Sequence, residues 1–192
     1  KDLPVAEESP SASEYDGKLF GDWGGIREKA SDAGLDFNFN YVGQFAANLD
    51  GGQRKDATWA GQLELGASLD AERAFGIRDT TFNALITYRH GSNLVTRAGL
   101  NTILQPQSVY GRGQTWRLTG FWGQHSIGAV DIRAGRMPMD LDFARLPCEF
   151  SNLSFCANQT GNLVGDLLFN YPISQWGARI RVQPGPLYAM VG

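Results

Sequence analysis

For fourteen residues from Leu35 the chain alternates apolar and polar side chains: Leu35, Phe37, Phe39, Tyr41, Phe45 and Ala47 on one parity, Asp36, Asn38, Asn40, Gln44 and Asn48 on the other. A period of two sends successive side chains to opposite faces of a strand, so one face is greasy and the other wet. Length is the real constraint. Strands of soluble domains usually run about five or six residues, whereas a tilted strand crossing a bilayer needs roughly 9–11. The pattern predicts a membrane-spanning strand.

The pattern returns along the chain. Residues 57–70 set Trp59, Leu63, Leu65, Ala67 and Leu69 against Thr58, Gln62, Glu64, Ser68 and Asp70. Residues 81–89 set Phe82, Ala84, Ile86 and Tyr88 against Thr81, Asn83, Thr87 and Arg89, and residues 115–124 set Trp116, Leu118 and Trp122 against Thr115, Arg117, Thr119 and Gln124. Two shorter runs oppose Val130, Ile132 and Ala134 to Asp131 and Arg133, and Trp176, Ala178, Ile180 and Val182 to Arg179, Arg181 and Gln183; a last strand begins within 187–192. Leu85 and Phe121 interrupt the alternation in the third and fourth strands.

Composition decides which membrane fold is open to such a chain. Its 192 residues are 42% hydrophobic, and no stretch approaches the roughly 20 consecutive apolar residues of a transmembrane helix. A helical membrane protein is therefore excluded. A β-barrel is not, because its lipid-facing residues alternate with polar lumen-facing ones and the average looks soluble. The expected fold is all-β: an antiparallel outer-membrane barrel wall preceded by a short helix. A net charge of −3 leaves no basic footprint for nucleic acid.

Three segments follow from this reading. Residues 1–16 are polar and Pro- and Ser-containing, which predicts a disordered or extended start of a processed, exported chain. Residues 17–34 predict a short periplasmic helix: Asp22 can cap a turn through Ile26, Arg27, Glu28, Lys29 and Ala30, and Gly34 suits its end. Residues 35–192 form the barrel portion. Its connections alternate in length, with the longer ones at about 91–114 and 137–175. Outer-membrane barrels have short periplasmic turns and longer extracellular loops, so the first strand points outward. Trp59, Trp116 and Trp176 then open the three descending strands and predict an aromatic girdle at the outer headgroup level.

Several motifs together resemble one family. The run Leu19-Phe20-Gly21-Asp22-Trp23-Gly24-Gly25-Ile26-Arg27 is followed by Gly34 and an alternating strand. Phe155-Cys156 and Gly161-Asn162 lie in the long connection, and Tyr171-Pro172-Ile173-Ser174-Gln175-Trp176-Gly177-Ala178-Arg179 leads into a strand. This combination resembles the carbohydrate-selective porins of the OprB family. The resemblance implies a monomeric, sixteen-stranded barrel passing monosaccharides and related solutes by diffusion, with the long connection folded inward to narrow the pore. About seven of those strands are present here. An open sheet edge cannot sit in hydrocarbon, so closure requires the remaining barrel strands, and a fragment is expected in preference to several copies sharing a barrel.

A sugar pore needs hydrogen-bonding groups that replace water around hydroxyls. By alternation the candidate lining is Glu64, Arg89, Arg117, Asp131, Arg133, Arg179 and Arg181. Facing them to lipid would cost about 2–4 kcal/mol per arginine at the midplane. Five arginines against two acids predict a weakly anion-friendly wall. Within the inward loop, Asp140, Asp142, Arg145, Glu149, Phe150, Asn152 and Phe155 are candidates for the constriction. Cys148 and Cys156 would close a local disulfide in an oxidising compartment, with free thiols or soft metal ligands as the alternative.

No metal or cofactor is expected, since Asp140 and Asp142 lack the ligand series of a calcium loop. His90 and His125 stand in separate segments without the context of a triad or HExxH motif, so an enzyme is not expected; His125 takes lumen parity near the periplasmic end. The expected partners are mono- or oligosaccharide solutes, outer-membrane lipid and lipopolysaccharide. A structural or docking barrel component of a larger envelope assembly is the alternative.

Overall fold

The structure, a computed structural model, describes residues 15, 17, 18, 20–102, 105–143 and 171–192. The alternating runs become seven strands of one antiparallel sheet: β1 (Leu35–Asn48), β2 (Asp56–Asp70), β3 (Thr80–Gly91), β4 (Trp116–Ile127), β5 (Val130–Met137), β6 (Gln175–Val182) and β7 (Ala189–Val191). Each strand pairs with the next in chain order, so the sheet is a simple meander. The β1–β2 ladder runs without slippage from Leu35↔Leu69 to Asn48↔Asp56. A ladder of that length fits a bilayer and exceeds what a soluble hairpin usually needs.

Short helices close the ends. Helix α1 (Ile26–Asp32) begins after Gly25, and Asp22 caps it from further upstream than a usual N-cap, its Oδ1 accepting from the Glu28 amide at 2.9 Å. Helices α2 (Ala71–Phe75) and α3 (Leu94–Ala98) were not expected, since five residues are too few to show a helical period. Their caps were nonetheless written in the chain: Asp70 accepts from the Glu72 amide at 2.9 Å, Asn93 accepts from the Val95 amide at 2.9 Å, and Gly76 and Gly99 end them in the left-handed region. Helices α1 and α2 meet at the end of the sheet that carries the short connections, where the Asp70 amide donates to the Gly34 carbonyl at 2.7 Å. Gly34 is needed there, since at its φ of 87° a Cβ would sit 2.9 Å from Arg73 Cβ and against the Asp70 carbonyl.

Burial is inverted relative to a soluble sheet. The apolar face stands open, with Trp116 53%, Phe121 55% and Ile180 44% exposed, joined by Phe39, Phe45, Phe82, Leu118 and Ile132. The buried polar residues include Gln62, Thr87, Arg89, Thr119 and Arg179, all on the opposite face. Soluble monomers rarely expose contiguous apolar patches larger than a few hundred Å². A sheet this long and this bare on its greasy side is a wall built against hydrocarbon.

One irregularity redirects a strand. In the β3–β4 ladder Ile86 pairs with Leu118 but Leu85 pairs with Gly120, leaving Thr119 as the extra residue of a β-bulge. Beyond it the parity of β4 switches. Phe121 therefore faces out and Trp122 faces the polar side opposite Asn83, which corrects the expectation that Trp122 shares the face of Trp116 and Leu118. His125 pairs with Ile132 and Thr80 on the apolar face, so its expected lumen parity is corrected too. Leu85 interrupts its own alternation because it fills the polar face between two glycines, with Cδ1 lying 3.6 Å from where a Cβ on Gly66 would sit and Cβ 3.3 Å from one on Gly120.

Candidate functional site

The polar face carries two hydrogen-bonded centres, each built from neighbouring strands and closed by a segment of a long connection. The first joins β2 and β3. Arg89 Nε donates to Gln62 Oε1 at 2.6 Å, and Gln62 Nε2 donates to Glu64 Oε1 at 2.6 Å and to the Tyr171 hydroxyl oxygen at 2.7 Å. The Tyr171 hydroxyl in turn donates to Glu64 Oε1. Burial and this carboxylate hold the Tyr171 phenol well above its ordinary pKa. The stem before β6 is thus fastened to the wall: the Tyr171 amide donates to Asp140 Oδ1 at 3.0 Å, and Thr119 Oγ1 donates to the Pro172 carbonyl at 3.1 Å.

The second centre spans β4, β5 and β6, where register aligns Gln124 with Arg133 and Arg133 with Arg179. Arg133 donates from Nε at 2.9 Å and Nη2 at 2.7 Å to Gln124 Oε1, and from Nη1 to Asp142 Oδ2 at 3.0 Å. Arg179 pairs with Asp142 at 3.2 Å and with Asp131, which also accepts from Ser126 Oγ at 3.0 Å. The Arg179 side chain is only 4% exposed. Arg133 also lies 4.2 Å above the Trp122 ring. Two guanidinium groups therefore face two carboxylates, one of them supplied by the connection after β5.

These contacts sort the residues expected from the sequence. Glu64 and Arg89 meet at the first centre, and Asp131, Arg133, Arg179 and Asp142 meet at the second; Asp140 holds the Tyr171 amide. Arg117 stands apart, donating to the Gly113 carbonyl at 3.1 Å, and Arg181 turns to Gln183 and lies 4.4 Å over the Tyr188 ring. The arginine surplus shrinks accordingly, since Asp142 neutralises what the strands alone leave uncompensated. Arg145, Glu149, Phe150, Asn152 and Phe155 lie outside the described residues, as do Cys148 and Cys156.

Sequence reasoning passed over three polar-face residues that organise the site. Tyr171 was noted only as part of a motif, and Trp122 was assigned to the other face. The third, Gln107, is fully buried: it accepts from Thr58 Oγ1 at 3.0 Å and from the Leu94 amide at 3.3 Å, and its own amide donates to the Gln44 carbonyl at 2.9 Å. It pins the connection after β3 over the polar face of β1 and β2. The only available signal was a glutamine in a stretch without periodicity, which does not distinguish an anchor from a solvated loop.

On the apolar face, Trp59, Trp116 and Trp176 all lie toward the end that carries the long connections. Trp116 stacks on Tyr88 at 4.8 Å between ring centroids, Tyr88 on His90 at 5.7 Å and His90 on Tyr41 at 5.9 Å, while Trp59 Nε1 donates to the Tyr41 hydroxyl at 3.2 Å. Glycines seat this ribbon. A Cβ on Gly43 would overlap the Trp59 ring, and one on Gly61 would overlap the Tyr41 hydroxyl and His90.

A meander with a bare greasy side and a buried polar side, onto which segments of its own long connections fold, is part of the wall of a membrane β-barrel. Comparison with known proteins makes that class specific. The profile of the carbohydrate-selective porins, OprB family, matches residues 54–192, and the chain belongs to that family. It is 43% identical over 185 residues to Porin B of Pseudomonas aeruginosa, covering 91% of this chain and 40% of that protein, and 37% identical over 180 residues to the putative porin QuiX of Acinetobacter baylyi, covering 90% and 41%. The high-pH structure of Pseudomonas putida OprB superposes with a TM-score of 0.80 at 42% identity, over 86% of this chain and 41% of that one. The low-pH structure of the same protein gives 0.59 at 32% identity, over 90% of this chain and 48% of that one. The chain thus spans about two fifths of the length of the curated relatives it matches. The family comprises bacterial outer-membrane channels rather than enzymes, which places this wall in the outer membrane.

Proposed function

We propose that the barrel to which this chain contributes passes saccharides by passive diffusion, with the polar face as pore wall and the apolar face against outer-membrane lipid. The observation that carries this reading is the inward fastening of a connection. On one stem Asp142 bonds Arg133 and Arg179 on β5 and β6, on the other Tyr171 bonds Glu64 on β2 and the Pro172 carbonyl accepts from Thr119 on β4, and Asp140 ties the two stems together through the Tyr171 amide. A long loop held at both stems inside a barrel narrows it. Amide, carboxylate and guanidinium groups at the two centres offer donors and acceptors that can replace water around sugar hydroxyls. The membership in a carbohydrate-selective family supports saccharides as the solute class.

In this reading Trp59, Trp116 and Trp176 lie in the outer headgroup layer beside lipopolysaccharide, where an indole satisfies both its apolar body and its N–H. Residues 17–34 then lie at the periplasmic end. The test is liposome swelling with the full-length protein. Vesicles are expected to swell in isotonic glucose, and Arg133→Ala, which opens the second centre, is expected to change the glucose rate. Absence of swelling in glucose from vesicles that conduct small ions would overturn the reading.

A further inference from the structure

The bulge at Thr119 has placed an aromatic ring inside the wall, and its surroundings are unusual for a lumen dominated by polar side chains. Cross-strand register puts Trp122, Gly135 and Gly177 in one row on the polar face. Two of the three positions carry no side chain, so the row, three strands wide and about 10 Å across, is bare backbone beside one indole. Gly135 has no alternative there. At its φ of 141° a Cβ would collide with the Phe121 carbonyl and sit 2.5 Å from Trp122 Cα. Gly177 is different: nothing lies within 4 Å of where its Cβ would be. Its openness leads into a cavity of about 230 Å³ lined by Met137, Asp142, Phe143, Gln175, Gly177 and Arg179.

From this geometry we infer that Trp122 with the glycine row is a stacking subsite for the face of a pyranose ring. The inference rests on the saccharide reading above and assigns its ring-recognising element. Sugar rings present a patch of C–H groups on one face and hydroxyls at the rim. An indole supplies a flat apolar surface for the first, and bare backbone leaves room for a ring to lie down. Gln124, Arg133 and Asp142 stand at the edge of the row, where hydroxyls emerge. Arg133 lies over one face of the indole and fixes the ring plane, and Trp122 stays partly exposed. The bulge is what makes the arrangement possible. With regular pairing through Thr119, Trp122 would face lipid and Phe121 would take its place.

The experiment compares glucose with sorbitol, which carries the same kind of hydroxyl groups without a ring, in swelling assays on the full-length protein. The wild type is expected to pass glucose faster than sorbitol. Trp122→Leu is expected to bring the ratio toward unity, a loss of roughly two- to tenfold in ring preference by the usual strength of aromatic contacts, while Trp122→Phe retains most of it. Gly177→Leu, which fills the open end of the row, is expected to lower the ratio without touching the indole. Folding is followed for every variant by heat-modifiable gel mobility. A wild-type ratio of unity overturns the subsite, as does an unchanged ratio in folded Trp122→Leu, or in Gly177→Leu if Trp122→Leu does not fold. Failure of the wild type to pass glucose at all is the separate outcome that removes the saccharide reading itself.

Discussion

The two faces of this sheet are held together by opposite means. On the apolar face the side chains stand open and are individually replaceable, and the specific contacts are the ring stacks seated on Gly43 and Gly61. The polar face carries two networks of mutually bonded groups: Glu64, Gln62, Arg89 and Tyr171 in one, Asp131, Asp142, Arg133, Arg179 and Gln124 in the other. A network fails as a unit, because removing one partner leaves buried charge uncompensated, whereas a stripe of apolar residues loses only what is removed. The same strand thus carries tolerant and intolerant positions in alternation.

The sharpest test of that difference is Arg179→Ala. It strips Asp131 and Asp142 of a shared, buried partner and is expected to cost about 3 kcal/mol, read as a fall in the temperature at which the folded barrel band is lost on gels. Phe121→Leu, on the same sheet but facing out, is the matched control. A comparable loss from both would erase the distinction between the faces. Next in size is Gly61→Ala. The added methyl meets Tyr41 and His90 where their rings already stack, so that the ribbon must part, at a cost of about 1–2 kcal/mol. Tryptophan emission should shift to longer wavelength as Trp59 loses the Tyr41 hydroxyl, and an unchanged spectrum and melting temperature would show that the glycine seat is not needed.

How far the sequence could reveal these faces depended on whether one period governed a strand from end to end. In β1 and β2 it did, and every expected face is observed, because fourteen residues of uninterrupted pairing leave no place for parity to change. In β4 the period broke. Phe121 following Gly120 was visible as an anomaly, but an anomaly marks a bulge only once the partner strand is known, since the extra residue is defined by two positions opposing one. Hence Trp122 and His125 were placed on the wrong sides. The charged wall residues were legible because burying charge against lipid is costly, whereas their partners were not. Asp142 reaches Arg133 and Arg179 from a connection, and Tyr171 reaches Glu64 across 107 residues of sequence. No local pattern encodes such a contact. The capping residues of α2 and α3 were readable, but without a helical period nothing asked for them.

A smaller effect is expected where a network is closed by a single neutral hydroxyl. Tyr171→Phe keeps the ring against the wall but leaves Glu64 and Gln62 one partner short, which should cost about 1 kcal/mol. Its signature is in pH rather than in size. The phenol is held above its ordinary value by burial first and by the Glu64 carboxylate second. A group whose folded pKa is raised contributes its stability fully below the unfolded pKa and loses it only as pH rises through the folded one. The gap between wild type and Tyr171→Phe should therefore persist at pH values around the ordinary phenol pKa of about 10 and close only beyond it. Ultraviolet difference titration at the phenolate band, wild type against variant, reads this directly. If the Tyr171 band titrates with the exposed tyrosines, the hydroxyl is not donating into the wall, and the stem of the inward loop is held by Asp140 and Thr119 alone.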